Sequence, residues 1–306
     1  MEGTGAGPDA AMTATLAPGS NATSSNTAGT TAANLASGKG HTDENFPVAS
    51  KLVAARYRAP IMAFYRFARL ADDIADHPTA SADEKLARLE AMRAGIVGIS
   101  DAEPSAVALR AVMAERRLDP VHALDLLEAF RRDCTKTRYA TWDDLIDYCR
   151  YSAMPVGRFV LDVHGEDRSL WPANDALCAA LQVVNHLQDC GKDFREIDRV
   201  YLPQDLLAAA GARIEDLAAD IAPPALRKVI AACAERCEHL LAEAAPFARK
   251  IADRRLGIEV AVIQRLAVSL AARLRTRDPL SQRVHHGRGE ALLLASGAAL
   301  GRLVAR

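Results

Sequence analysis

The stretch RFARLADDIAD, Arg66 to Asp76, sets three carboxylates within five residues, behind two arginines. A second run, NHLQDCGKDF from Asn185 to Phe194, again sets two aspartates four apart. Residues four apart on a helix share a face, one turn up. Asp72 and Asp76 therefore point one way, and so do Asp189 and Asp193. Like charges so placed repel by about 0.2–0.5 kcal/mol, which water and salt absorb at a surface. A lone D-x-x-x-D is most often such a solvated face. Here Phe64, Phe67, Leu70 and Ile74 surround the first pair, and Val183, Val184 and Leu187 precede the second. Both helices read as buried, and buried carboxylates must be paired or ligate metal.

Two such pairs on facing helices would make a cage of carboxylates across a cavity. Mg²⁺ suits that arrangement, because it takes one or two carboxylates, keeps waters and completes its shell with substrate phosphates. Ions held there would draw off the charge of a departing diphosphate, which is Lewis-acid assistance to a leaving group. Arg69 precedes Asp72 by one turn, and Lys192 and Arg199 flank Asp193. The apolar surroundings would suit a greasy substrate with a charged head.

The elements that must position these residues read as helix almost throughout. From about His41 onward there is no convincing strand alternation and no repeat of 20–50 residues. Pro60 is expected in a first helical turn, with Ile61, Phe64, Phe67, Ala68, Ala71 and Ala75 following a 3.6 period. SADE, from Ser81, is a capping box opening a helix toward Gly98, and TWDD, from Thr141, is its analogue with Asp for Glu. Asp119-Pro120 offers an N-cap and an N1 proline, ahead of a helix with Leu124, Leu127 and Phe130 on one side. Pro155 should kink or break the helix running from Thr141 to about Gly165. Asn174 or Asp175 should cap the helix that carries Asn185 and Asp189; Pro223-Pro224 should begin another through Phe247. A last pair is expected over Ile258–Thr276 and from Ser281 to the C-terminus. The whole reads as one all-α domain of about ten helices, residues 41–306. Ala176–Leu187 and Ile258–Leu274 are apolar on more than one face and belong at a bundle centre.

Composition narrows the class. The chain has 306 residues, 50% hydrophobic, with a formal net charge of -1, so there is no basic excess to hold nucleic acid. No apolar run approaches the roughly 20 residues that span a bilayer. Residues 1–40 contain no Val, Ile, Phe, Tyr or Trp and read as a disordered low-complexity tail, with neither a secretory signal nor a transit peptide pattern. The six cysteines form no C-x-x-C pair, and together with the missing export signal they suggest a reducing cytosol and a role as small core residues.

Four stretches in order carry a family resemblance: NFPVAS (Asn45–Ser50), FYRFARLADDIAD (Phe64–Asp76), DYCRYSAMPVGRF (Asp147–Phe159) and LQVVNHLQDCGKDFREIDRVYLPQDLL (Leu181–Leu207). Over roughly residues 41–285 the chain resembles the squalene/phytoene synthases, all-α isoprenoid synthases with a bundle around a central apolar cavity. It is most similar to their bacterial hydroxysqualene synthase subgroup, of the hopanoid pathway. The resemblance implies that Asp72 and Asp76 are the first metal-binding pair and Asp189 and Asp193 the second. It implies that Arg69 contacts diphosphate, that Tyr65 lines the reaction pocket, and that Tyr151 handles protons near the leaving group. Gln182 and Asn185 match polar residues one and two turns before the second pair, and Arg199, Tyr201 and Pro203 match an R-x-Y-L-P element. Two departures stand out: Glu44 where many relatives carry a basic residue, and Lys192 inside the second pair, which would neutralise the aspartates or touch diphosphate. His186, Trp142 and Trp171 read as structural, and His285-His286 as too isolated for a metal site.

The implied reaction converts presqualene diphosphate to hydroxysqualene with several Mg²⁺ ions and no NADPH. The competing readings are condensation of two prenyl diphosphates to presqualene diphosphate, squalene or phytoene, full squalene synthesis with NADPH, and a non-catalytic assembly or scaffold relative. The last usually has eroded aspartates, and here all four stand. The implied partners are the isoprenoid diphosphate, other squalene-pathway enzymes that hand it over, and a peripheral membrane contact at the inner face of a cytoplasmic protein. Gly289–Arg306 is apolar and short; it reads as the last core helix, with a helix resting on a membrane as the alternative.

Overall fold

The computed structural model describes residues 53–304; the tail of residues 1–40 and the stretch Asn45–Ser50 lie outside them. The described residues form twelve α-helices and two 3-10 turns, with no strand and a single isolated bridge between Arg138 and Val200. The helices are α1 (Ala55–Ala75), α2 (Ala82–Ile96), α3 (Pro104–Arg116), α4 (Val121–Asp133), α5 (Trp142–Ser152) and α6 (Met154–His164). They continue with α7 (Trp171–Ile197), α8 (Gln204–Ala210), α9 (Pro224–Glu243), α10 (Phe247–Lys250), α11 (Arg254–Thr276) and α12 (Arg288–Val304).

Local chemistry explains most of the boundaries. At Ser81 the capping box forms as expected, with Glu84 N donating to Ser81 Oγ at 3.3 Å and Ser81 N to Glu84 Oε2 at 2.8 Å. At Thr141 the cap is displaced. Asp144 N donates to Thr141 Oγ1, but the Asp144 carboxylate reaches past Thr141 to Ala140 N at 2.9 Å. Asp119 caps Val121 N at 2.9 Å, so Pro120 sits one position before the first helical residue. The expected break at Pro155 separates α5 from α6 at Ala153, and Gly165 closes α6 at φ +71°, where a Cβ would be strained.

Several boundaries differ from the sequence reading. Pro60 is not in the first turn, because α1 starts at Ala55. A proline in a helix leaves the carbonyl four residues back without its N–H. Here that carbonyl, Arg56 O, accepts from Arg116 Nη2 at 2.7 Å, so α3 compensates the defect in α1. Helix α7 starts at Trp171, and Asn174 is not its cap. That side chain is buried, donating to Met154 O at 3.4 Å, while Asp175 pairs with Arg158. Helix α9 stops at Glu243, and Pro246 opens the separate α10. Helix α11 begins at Arg254 because Asp253 accepts from Arg255 N and Leu256 N. The chain from 277 to 287 is not helix: Asp278 folds it back by accepting from Ala222 N, Leu280 N and Ser281 Oγ. Helix α3 had no counterpart in the sequence reading.

Two apolar cores lie side by side. One joins α1 to α4 with part of α6, through Phe64, Phe67, Ile74, Leu89, Met92 and Phe159. The other joins α5, α7, α9 and α11, through Tyr139, Val184, Ile230, Phe247 and Leu270. Helix α6 packs on both α1 and α7, and Val160 touches both cores. Trp142 and Trp171 pack against the second core, as expected, and all six cysteines are free. Helix α12 lies along α11 but is not a core helix, for none of its residues is buried.

Candidate active site

A cavity of about 440 Å³ opens where the two cores meet. That is within the roughly 300–1,000 Å³ range of small-molecule sites. Its walls are α1, α4, α6, α7, α10 and the first half of α11, and they are apolar for most of their extent: Ile61, Phe64, Phe130, Leu177, Leu181, Phe247, Val260 and Ile263. Tyr65, Arg69 and Asp72 close one end. On α1 these three recur at i, i+4 and i+7, with Asp76 following as the helix C-cap, so one face of a single helix runs from grease to charge. From Ile61 to Asp72 that face extends about 16 Å at 1.5 Å per residue. The shape suits a long apolar chain with a charged head. Glu259, buried on α11, is a second acid on the cavity wall that sequence reasoning missed.

The charged end is built from four segments. Arg69 donates to Asp72 at 2.8 Å and to the buried Asp73. Asp73 was not a candidate in sequence, and its pairing with Arg69 makes it the structural member of the first acidic run. Burial first, then the neighbouring Asp76, lifts the Asp72 pKa to about 7, with Arg69 pulling it down. Asp72 retains 37% exposure of its side chain at the cleft mouth. On α7, burial and then Asp189 raise Asp193 to about 7, against the pull of Arg199 and Lys192; Asp76 adds to the rise. The field of Asp76 at Asp193 puts the two aspartate pairs on one site. Sequence could align each pair on its own helix but could not bring the helices together.

Arg199 ties the site across the fold. Helix α7 ends at Ile197, and Asp198 adopts φ +49° so that the chain turns back on itself. Arg199 N donates to Asp193 O at 3.2 Å, and Val200 N donates to Thr137 O at 2.9 Å. Arg138 holds Asp198 at 2.5 Å. So anchored, the buried Arg199 guanidinium reaches Asp76 Oδ1 at 3.0 Å, Asp133 O at 3.1 Å and the Tyr201 hydroxyl at 3.4 Å. Burial alone would pull its pKa down, but Tyr201, Asp133 and Asp76 more than offset that and push it up.

Asp133, at the end of α4, is the main residue that sequence reasoning missed. It is buried and accepts from the Tyr148 hydroxyl at 2.9 Å. Burial raises its pKa to about 6, although Arg199 and Tyr148 pull the other way. An acid at a helix C-terminus opposes the macrodipole, and that local conflict was the available signal.

The remaining candidates fall into place unevenly. Gln182 Nε2 lies 3.0 Å from His186 Nε2, and His186 stacks on Tyr201 with ring centroids 3.3 Å apart. Burial, then Arg199, drives the His186 pKa down to about 3, so its imidazole is neutral, with Nε2 accepting from the Gln182 amide. His186 thus supports Tyr201, in keeping with a structural role. Asn185 is half-buried one turn before Asp189, on the same face. Tyr151 lies on α5 with the Arg132 guanidinium 4.1 Å over its ring; its neighbour Ser152 lines the cavity. Lys192 is exposed, 3.9 Å from Glu196.

Among the described residues no three His, Cys, Asp or Glu side chains converge closely enough to hold an ion by themselves. Neither Asp189 nor Asp193 makes a hydrogen bond or ion pair among them. The donor set fits a hard divalent cation all the same, because such ions take few carboxylates and fill their shells with water and phosphate oxygen. The raised Asp72 and Asp193 show what such an ion would relieve: mutual repulsion between acids in a partly desolvated cleft.

Comparison with known proteins agrees with this geometry. The squalene/phytoene synthase family model matches residues 39–290. The chain is 58% identical to a hydroxysqualene synthase of Zymomonas mobilis, over 89% of this chain and 92% of the relative. It is 54% identical to one of Rhodopseudomonas palustris, over 90% and 95%. Among solved structures it is similar to a squalene synthase from Alicyclobacillus acidocaldarius, at 33% identity, TM-score 0.68, covering 80% of this chain and 91% of that one. A dehydrosqualene synthase in complex with ligand, at 21% identity and TM-score 0.73 over 85% and 92%, shares the fold.

Proposed function

The chain belongs to the squalene/phytoene synthase family, and on that premise we propose that it converts presqualene diphosphate to hydroxysqualene with release of diphosphate. It is an enzyme of this family, acting on a prenyl diphosphate. The observation that carries the reading is the cavity wall on α1, apolar from Ile61 to Ala68 and charged at Arg69 and Asp72, with Asp76 at the helix end held by Arg199 and acting through its field on Asp193 of α7.

The roles follow from placement. Arg69 and Arg199 supply fixed positive charge where the diphosphate oxygens gain negative charge, usually the largest single contribution to such a rate. Asp72, Asp76, Asp189 and Asp193 would hold Mg²⁺. When bound, the ions would neutralise the diphosphate and make it a better leaving group. Asp73 and Asp133 orient the two arginines. The carbon–oxygen bond to diphosphate breaks with its electron pair on the leaving group. The carbocation rearranges with opening of the cyclopropane ring, and a water oxygen bonds to carbon and gives up a proton. The apolar wall from Ile61 to Ile263 excludes other nucleophiles. Tyr65 lines the cavity beside Arg69; Tyr151, Asn185 and Gln182 keep the roles near the leaving group that the family resemblance implies. No NADPH is needed, since oxygen rather than hydride quenches the cation.

The test is a product assay. Purified protein with presqualene diphosphate and Mg²⁺ should yield hydroxysqualene in the lipid extract. Consumption of farnesyl diphosphate with no turnover of presqualene diphosphate would move the reaction to head-to-head condensation. An oily product is the reason to expect the enzyme at the inner face of a membrane.

A further inference from the structure

Helix α12 is built inside out. Its inward side carries two of its three charges: Arg302 donates to Ala248 O at 2.9 Å and Ile251 O at 3.2 Å, and Glu290 pairs with Arg273, while Arg288 at its start is exposed. Its outward side carries Leu292, Leu293, Leu300, Leu303 and Val304, from 49% to 80% exposed. Between Gly289 and Val304 that side has no charged residue. A surface helix normally presents the opposite pattern, and an exposed apolar strip of this length marks a contact.

The charges beside the strip indicate what it contacts. Arg302 fixes the C-terminal end of α12 against α10, and Gly257 makes room, since a Cβ there would lie 3.0 Å from Arg302 Nε. This corner carries Arg249, Lys250, Arg254 and Arg255, all exposed. The nearby carboxylates are already engaged by backbone: Asp253 accepts from Arg255 N and Leu256 N, and Glu166 from Ala252 N and Asp253 N. Apolar side chains flanked by unopposed basic ones are the pattern of a helix lying in the plane of an anionic bilayer. No helix among the described residues is long and apolar enough to cross one.

We propose that the outward face of α12, with the basic corner at α10 and the start of α11, docks the enzyme on an anionic membrane surface. The same corner supplies Phe247, Leu256 and Val260 to the cavity wall, from α10 and α11 rather than from α1, which carries Arg69 and Asp72. Docking there sets this apolar part of the cavity wall toward lipid. Release of an oily product gives this contact its use, and to that extent the inference rests on the proposed reaction; the binding test involves no turnover, so the two fail separately.

The full chain would be floated with vesicles of phosphatidylcholine alone and of phosphatidylcholine with phosphatidylglycerol. It should bind the anionic vesicles, bind the neutral ones weakly, and lose binding as salt rises. Each basic residue near an anionic surface contributes about fivefold to partitioning, so R249Q/K250Q/R254Q should bind at least tenfold less. L293E/L300E should bind at least tenfold less again, with unchanged circular dichroism and unchanged turnover in detergent. L292S/L303S provides a milder second variant of the strip. Absence of binding to anionic vesicles, or equal binding by wild type and all three variants, would overturn the proposal. So would a lipid-free dimer that L293E/L300E converts to monomer, because the occupant would then be a second copy of this chain.

Discussion

Replacing Arg199 by Gln removes a group that reaches both halves of the site. Two acids lose their counter-charge: Asp76, 3.0 Å away, and Asp133, whose backbone carbonyl accepts from Arg199 and whose carboxylate is buried. Breaking a buried pair by removing one partner costs about 3–5 kcal/mol. The Asp76 side chain is 39% exposed, so solvent screens part of its loss, and the low end, about 3 kcal/mol, is the better figure. For a domain of this size each kcal/mol lowers Tm by about 2–4 °C, so a drop of roughly 6–12 °C is expected. Turnover should fall by about 10²–10³, the loss seen when one preorganised stabiliser of developing negative charge is removed. Thermal melts and diphosphate release read the two effects separately. R199K should restore part of the stability and little of the rate, because an ammonium cannot fork between Asp76 and the Asp133 carbonyl as a guanidinium does. The pairing itself is tested by a cycle: D76N should destabilise the Arg199→Gln protein by less than it does the wild type. An R199Q enzyme that melts and turns over like wild type would refute the reasoning.

Other expectations rest on single features. D72N and D189N should each lower turnover by about 10²-fold or more while leaving the melting curve nearly unchanged; D73N, which strips Arg69 of its buried partner, should lower stability as well. Near-normal diphosphate release by either of the first two would remove the metal-cage reading. Divalent-metal affinity should rise with pH. Asp72 and Asp193 carry pKa values near 7 when folded, against about 3.8 in the unfolded chain. The folded state therefore holds protons that the unfolded state has released, and the metal-free protein loses stability as pH climbs from about 4 to 7. A cation must displace those protons, so affinity should gain about tenfold per carboxylate between pH 6 and 8. Titration with Mn²⁺ at both values measures this, and a pH-independent affinity would contradict it. Finally, G157A should destabilise by about 1–3 kcal/mol through overpacking. Its Cβ would meet Asn174 Oδ1 at 2.0 Å and Cys178 Sγ at 2.7 Å, forcing α6 from α7 at the cavity wall. An unchanged melt would mean that the two helices are less tightly joined.

Features legible in the sequence share one property: they are local. The Ser81 capping box and the interruption at Pro155 each depend on a few neighbouring residues, and each formed as its spacing dictates. What escaped notice depends on distant chain. Asp133 becomes part of the site through Arg199, which follows it by 66 residues, and through Tyr148. Nothing in RRDC signals this except an acid at the wrong end of a helix. Pro60 looked like a helix start because the group that repairs its defect, Arg116, lies on another helix. Asn174 looked like a cap because Asn favours that position, but α7 starts three residues earlier and packing of α6 on α7 buries Asn174 in its first turn. Lys192, between two aspartates in sequence, is exposed and lies 3.9 Å from Glu196, yet its charge still opposes the rise of the Asp193 pKa.

The central claim, that water rather than hydride ends the reaction, is tested most directly in heavy-oxygen water. Presqualene diphosphate and Mg²⁺ would be incubated with the enzyme in ¹⁸O-enriched water, with and without NADPH, and the lipid product analysed by mass. The account predicts hydroxysqualene in both cases, its hydroxyl carrying the solvent label. Squalene formed only when NADPH is present would contradict it.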